Sequence, residues 1–247
     1  MNTIEFNNVS KTFHRAAGRH LLRNHLMRRF GRKTEAQPPF YAIKDVSFQI
    51  NSGETVGVVG ANGAGKSTLL SLVTGLTPPS AGKIEVKGRI AALLELGCGF
   101  HPDLTGRENV MLNASLLGFK RKQAEDLYEN IVDFAEMQDF MEEPLRTYST
   151  GMNLRLAFAV AVNLDPEVLI VDEVLAVGDR AFQEKCVDKI FEIKKQGKTI
   201  LAVSHAAGAI QHLCDRALWL DHGQLIMDGD CKDVLQAYEG HVTPARA

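Results

Sequence analysis

Apolar residues along this chain alternate between short β-branched runs and stripes at helical spacing. Residues 4–9 read as a first strand. Strand patterning returns over 41–59, through Val46-Ser47-Phe48-Gln49-Ile50 and the nearly continuous Thr55-Val56-Gly57-Val58-Val59. Ser67-Thr68-Leu69-Leu70-Ser71-Leu72-Val73 then opens a helix. Pro78-Pro79 and Gly82 mark a loop, and Lys83-Ile84-Glu85-Val86 and 90–94 are further strand candidates. From about 97 to 164 the pattern turns helical. Leu127, Ile131 and Phe134 share one face, and 154–162 is apolar nearly all round until Asp165-Pro166 ends it. Val168-Leu169-Ile170-Val171 and Thr199-Ile200-Leu201-Ala202-Val203 follow as short apolar runs on either side of a helical segment at 180–196. Leu218-Trp219-Leu220 and Gln224-Leu225-Ile226 flank Asp221-His222-Gly223 as a hairpin, and Asp230 can cap a last helix to about Tyr238. This alternation predicts an α/β fold with a largely parallel sheet covered on both faces.

One stretch breaks the pattern. Between Arg15 and Lys33 lie seven Lys/Arg residues and no acidic one, followed by Pro38-Pro39. Leu22, Leu26 and Phe30 fall on one helical face with Met27 beside them, so the insertion at 14–40 predicts a basic amphipathic helix. Three readings are open: a solvated helix, a contact with a membrane subunit or anionic headgroups, or nucleic-acid binding. At 247 residues, 45% hydrophobic and 23% charged, the chain suits a single globular α/β domain over 1–247. A net charge of −2 argues against a dedicated nucleic-acid binder, and no nucleic-acid partner is expected. Cys98, Cys186, Cys214 and Cys231 are scattered without a C-x-x-C pair, which suggests reduced thiols and not a disulfide or zinc scaffold. No run is long and apolar enough to cross a bilayer, and the N-terminus lacks a signal-peptide pattern. A membrane role would require another chain to hold this one in place.

The chemistry begins at Gly60-Ala61-Asn62-Gly63-Ala64-Gly65-Lys66-Ser67, a complete G-x-x-x-x-G-K-[ST] phosphate loop between a strand-like run and a helix. Gly60, Asn62, Gly63 and Gly65 turn backbone N–H groups inward around phosphates, and the helix N-terminus adds partial positive charge. Lys66 reaches the β/γ-phosphates, Ser67 can ligate Mg²⁺, and Thr68 completes the cradle. A nucleoside triphosphate and Mg²⁺ are the expected ligands. The apolar strand Val168-Leu169-Ile170-Val171 runs into Asp172 and Glu173. Asp172 is placed to hold Mg²⁺, and Glu173 to polarise the attacking water. Phe13 and Tyr41 are candidates for stacking on adenine, against a plain core role for either.

Farther along, Tyr148-Ser149-Thr150-Gly151-Met152, Asp172-Glu173, Val177-Gly178-Asp179 and Ser204-His205 follow in order. In that order they resemble the signature loop, magnesium strand, D-loop and switch histidine of ABC transporter ATPase subunits. The usual Leu-Ser-Gly-Gly-Gln of the signature stands here as Tyr-Ser-Thr-Gly-Met, with Ser149 and Gly151 keeping the positions that chiefly contact phosphate. Leu93-Leu94-Glu95-Leu96-Gly97, the run from Phe100 through Thr105-Gly106-Arg107-Glu108-Asn109, and Arg155-Leu156-Ala157-Phe158-Ala159 resemble the ATPase subunits of polysaccharide, O-antigen and teichoic-acid exporters. The resemblance implies a P-loop core with an antiparallel β part and a helical subdomain inserted at about 97–164. It implies Glu95 in place of the Mg²⁺-linked Gln of most relatives, and His205 as the γ-phosphate switch. It also implies a homodimer sandwiching two ATP molecules, bound to two transmembrane permease subunits on the cytoplasmic face of the inner membrane. Contact with the lipid-linked polysaccharide would be indirect. Some relatives carry a further C-terminal carbohydrate-recognition domain, for which 247 residues leave no room. The rival readings are a soluble ABC-type ATPase acting on nucleic acid or ribosomes, and a nucleotide binder without turnover.

Overall fold

A computed structural model of the chain describes residues 2–13, 39–93, 97, 99–172, 178–204 and 207–242. The proposed basic helix within 14–40 therefore lies outside the described residues, apart from its last two positions. The sheet that organises the molecule has six strands. These are β3 (Thr55–Val59), β5 (Ile90–Ala92), β6 (Val168–Val171), β7 (Thr199–Val203), β8 (Arg216–Asp221) and β9 (Gln224–Asp230), in the order β5-β6-β7-β3-β8-β9. Every pairing is parallel except β8 with β9. All residues of β3, β6 and β7 are buried, which explains their unbroken Val/Ile/Leu character. One face of the sheet meets a core that includes Phe158, Phe182, Ile190, Ile210 and Leu235. The other face meets Leu69 and Leu70 of helix α1 (Lys66–Val73) together with a second sheet.

That second sheet is antiparallel, ordered β2-β1-β4, from β1 (Asn2–Phe13), β2 (Phe40–Asn51) and β4 (Ala81–Val86). Phe6 and Phe48 stack across β1 and β2 with centroids 4.5 Å apart. The predicted loop at Gly82 proves to be strand. Gly82 sits at φ +83°, with no room for a Cβ against the Asn8 carbonyl (2.2 Å), beside the register break between β1 and β4. The β8–β9 turn has both central residues at positive φ, His222 at 45° and Gly223 at 78°, as a tight primed hairpin requires. Gly223 is also a tie. Its N–H donates to Ala64 O (2.9 Å), and its carbonyl accepts from Lys44 N–H (2.8 Å), joining the phosphate loop to β2.

Three helices occupy the middle of the chain: α2 (Gly106–Leu116), α3 (Arg121–Ala135) and α4 (Thr150–Asn163). Thr105 caps α2 and exchanges hydrogen bonds with Glu108 in a capping box. Asn109, fully buried, accepts from His101 N–H and donates to the carbonyls of His101, Leu104 and Thr105. The predicted apolar face of α3 is present: Ile131 is buried, and Leu127 and Phe134 are partly so. Helix α4 serves two cores, with Phe158 and Val162 toward the sheet and Leu156 and Val160 toward α2 and α3. This is why its sequence is apolar nearly all round. The chain continues through α5 (Arg180–Lys195), the short α6 (Ala207–Leu213), which the apolar pattern did not announce, and α7 (Cys231–Val242). Asp230 accepts Lys232 N–H at 2.9 Å at the start of α7. Among the described residues no helix is long and apolar enough to cross a membrane.

Candidate functional site: a phosphate loop facing a carboxylate

The phosphate loop leaves the C-terminal end of β3, the strand between β7 and β8, where an open α/β sheet places its ligand crevice. Gly60 at φ +153° passes so close to Leu220 O that a Cβ would lie 2.3 Å from it. Gly65, at φ +110° on the threshold of α1, would place a Cβ 2.6 Å from Ala42 O. Gly63 is at φ +82° but faces open space. Lys66 is buried, and its Nζ donates to Gly60 O at 2.6 Å and Ala61 O at 3.1 Å, so the ammonium lies along the inside of the loop. The loop walls a cavity of ≈ 300 Å³ lined by Phe40, Ala42, Asn62, Gly63, Gly65, Lys66, Ser67, Thr68, Asp172 and Val203.

Asp172 enters that cavity from the end of β6, two strands away from β3. Ser67 and Asp172 thus line the same cavity. No cluster of three His, Cys, Asp or Glu side chains suited to a metal exists among the described residues. A hydroxyl and a carboxylate beside a phosphate cradle fit Mg²⁺, which keeps waters and phosphate oxygens as ligands. Glu173, His205 and Glu95 lie outside the described residues. Asp172 and Ser204, next in sequence to Glu173 and His205, directly follow the adjacent parallel strands β6 and β7.

The structure separates the remaining candidates. Ser149 caps α4, its Oγ accepting Met152 N–H at 3.2 Å, and it is exposed; Gly151 follows with room around it. Neither lines the phosphate-loop cavity. Tyr148 has a structural partner. Its hydroxyl donates to Phe140 O (2.6 Å) and occupies the space a Cβ on Gly106 would need. Burial, aided by nearby acidic groups, pushes its phenol up to about 12. Of the aromatics, Phe40 lines the cavity and sequence reasoning missed it. Phe40 and Ala42, two apart on β2, share the face toward the loop, and Tyr41 stands on the other. Phe13 pairs with Phe40 across β1 and β2, with Lys11 Nζ 5.2 Å above its ring. Extending the period-2 pattern one residue before Tyr41 would have found Phe40.

A parallel sheet with a glycine-built phosphate cradle on its central strand, a buried lysine inside it and an aspartate opposite defines a P-loop nucleotide-hydrolysing domain. Residues 43–176 match the model of the ABC transporter family, and the chain belongs to that family. It is 45% identical over 244 residues to the O-antigen export system ATP-binding protein RfbB of Klebsiella pneumoniae, covering 96% of this chain and 97% of that one. It is 50% identical over 199 residues to the ABC transporter protein AbcA of Aeromonas salmonicida, covering 81% of this chain and 65% of the relative's length. Among solved structures, an ATP-binding subunit of an ABC transporter matches with a TM-score of 0.75 at 22% identity, over 96% of this chain and 93% of the other. That last likeness concerns the fold.

Proposed function

We propose that this chain hydrolyses ATP to ADP and phosphate and that the hydrolysis powers export of a lipid-linked polysaccharide of O-antigen or capsule type across a bacterial inner membrane. The observation that carries the reading is the single cavity in which Lys66, Ser67 and Asp172 converge beneath the loop glycines. In this reading the N–H groups of Gly63 and Gly65 and the Lys66 ammonium hold the β/γ-phosphates, and Phe40 flanks the entrance. Ser67 and Asp172 would hold Mg²⁺, which when bound neutralises charge on the phosphate oxygens. Glu173 takes a proton from the attacking water, and His205 orients it against the γ-phosphate. Glu95 supports the metal side.

The Ser149-Thr150-Gly151 turn, with Ser149 and Thr150 exposed at the N-terminus of α4 and outside the cavity, suits an anion site completed by a second copy. Two copies would then clamp two nucleotides, and release on hydrolysis would move the helical part spanning about 97–164. Two permease subunits follow that motion and hold the ATPase at the cytoplasmic face. The exporter name of the Klebsiella relative supports this substrate class. Replacing Glu173 by Gln tests the core of it. Turnover falls about 10²–10⁴-fold while ATP stays bound, and the full chain doubles in mass by light scattering when ATP and magnesium are added. A variant that remains monomeric, alone and with its permease, refutes the clamp.

A further inference from the structure

Arg155, within the second turn of α4, reaches carboxylates on two other elements. Its Nη2 donates to Asp179 Oδ2 at 2.7 Å, and its Nη1 to Glu136 Oε2 at 3.4 Å. The guanidinium lies over the Phe182 ring of α5, 4.8 Å from the centroid. Gly178, at φ +74°, lets the backbone approach so closely that a Cβ there would sit 3.2 Å from Arg155 Nε. Glu136 closes α3 in the left-handed conformation (φ 58°), with its other oxygen held by Lys185 of α5 at 2.9 Å. Beneath these charges Phe134, Phe158 and Phe182 meet from α3, α4 and α5, with centroids 5.7, 5.9 and 6.3 Å apart.

The joint's position matters more than its strength. Exposed ion pairs contribute little on their own, but the Arg155 side chain is only 21% exposed and stacked on a ring, so its fork is held in place. Six residues back along α4, roughly 9 Å at helical rise, is the Ser149 turn. Asp179 begins α5, seven residues beyond Asp172 on the same chain, where it also accepts Phe182 N–H at 2.9 Å. The Phe182 N–H first, against slight desolvation, and then Arg155 hold its carboxyl below the usual range, so it is an anion facing Arg155 at neutral pH. One cation therefore joins the helix that starts at the Ser149 turn to the head of α5.

We propose that Arg155 is a positioning residue for ATP hydrolysis. By clamping Asp179 at the head of α5 it fixes that helix relative to the Ser149 turn at the head of α4, so that the two helix ends move together when phosphate is bound and released. The inference rests on the ATPase reading above. It touches no reacting atom, so its signature lies in kcat, not in ATP affinity.

The test is a double-mutant cycle on the full chain reconstituted with its permease, with kcat, KM for ATP and melting temperature measured for each variant. Arg155→Gln and Asp179→Asn each lower kcat about tenfold or more with KM within about threefold. The double variant is no slower than the slower single one. Arg155→Lys, which keeps the charge without the fork, recovers part of the loss. Glu136→Gln removes the joint's two other ion pairs, to Arg155 and to Lys185, and leaves kcat within about twofold, which separates positioning from general stability. Additive losses, a KM that rises as kcat falls, wild-type kcat in Asp179→Asn, or an equal loss in Glu136→Gln overturn the proposal. A wild-type chain that binds ATP but does not turn it over overturns the ATPase reading and this inference together. A wild-type kcat in the variants of an active enzyme overturns the inference alone.

Discussion

At the scale of single residues, the glycines of the phosphate loop are not equivalent, and the difference is sharp enough to measure. Gly63 needs only its positive φ: a methyl there meets nothing within 4 Å. Alanine at Gly63 therefore costs backbone strain of about 1–2 kcal/mol, a melting-temperature drop of roughly 2–4 °C per kcal/mol for a chain this size. Gly65 combines φ +110° with a would-be Cβ 2.6 Å from Ala42 O, a backbone atom of β2. Alanine at Gly65 must displace β2 or the loop, so a loss of about 3 kcal/mol or more is expected, with loss of nucleotide binding. Calorimetric melting and titration with a fluorescent ATP analogue compare the two. Equal losses for both variants would mean that the close approach to β2 is not what positions the loop. The lysine between these constraints is buried along the loop's own carbonyls. The glycines set the path, and the path sets the ammonium.

At the scale of elements, the joints between helices and strands carry most of what distinguishes this chain. Arg89 at the head of β5 is held by Glu167 at the head of β6 through three hydrogen bonds, 2.7 Å from its N–H, 3.1 Å from Nε and 2.9 Å from Nη2. Its guanidinium lies 4.2 Å from the centroid of Phe119, on the α2–α3 connection. Partial burial raises the Glu167 pKa, but the side-chain and backbone bonds from Arg89 outweigh it, and the net shift is downward. A carboxyl whose folded pKa lies below its unfolded one adds stability above the unfolded value, about 4.3. That stability is lost as pH falls through the folded value, because the unfolded chain binds the proton first. Urea unfolding between about pH 6 and pH 3 should thus fall more shallowly with acid in Glu167→Gln than in the wild type; parallel slopes would count against the pair. This joint was not legible in the sequence, because Arg89 and Glu167 are 78 positions apart and neither belongs to a periodic run. Strands β3, β6 and β7 were legible to the residue, since burial on both faces leaves no polar position to blur their ends. The shift of β4 to include Gly82 and the short α6 were not. One depends on a close backbone contact with Asn8, and the other is too short to show a period. In the site, the phosphate loop and Asp172 could be read directly, whereas Phe40 depended on knowing which face of β2 turns toward the loop.

At the scale of the whole molecule, Cys186, Cys214 and Cys231 all belong to the core on one face of the parallel sheet, packed with Trp219, Phe182 and Ile210. Burial pushes the Cys186 and Cys214 thiols up to about 12, and the Cys231 thiol upward as well. They should therefore react with an alkylating reagent only when that face opens. The same sheet carries the phosphate loop at the end of β3 and Asp172 at the end of β6, so opening its core dismantles the nucleotide site. A ligand bound only by the closed form lowers the open population by 1 + [L]/Kd, about 2.7 kcal/mol at a hundred times Kd. With Cys98 replaced by Ser to leave the three core thiols, alkylation at saturating reagent should slow about a hundredfold when ATP is raised to that level. The Lys66→Ala variant should show little change on adding ATP. Protection independent of ATP would mean that the thiol face opens while the phosphate loop remains formed. The sheet would then comprise two cooperative units, with the boundary running between its two faces and not around the helices at 106–163.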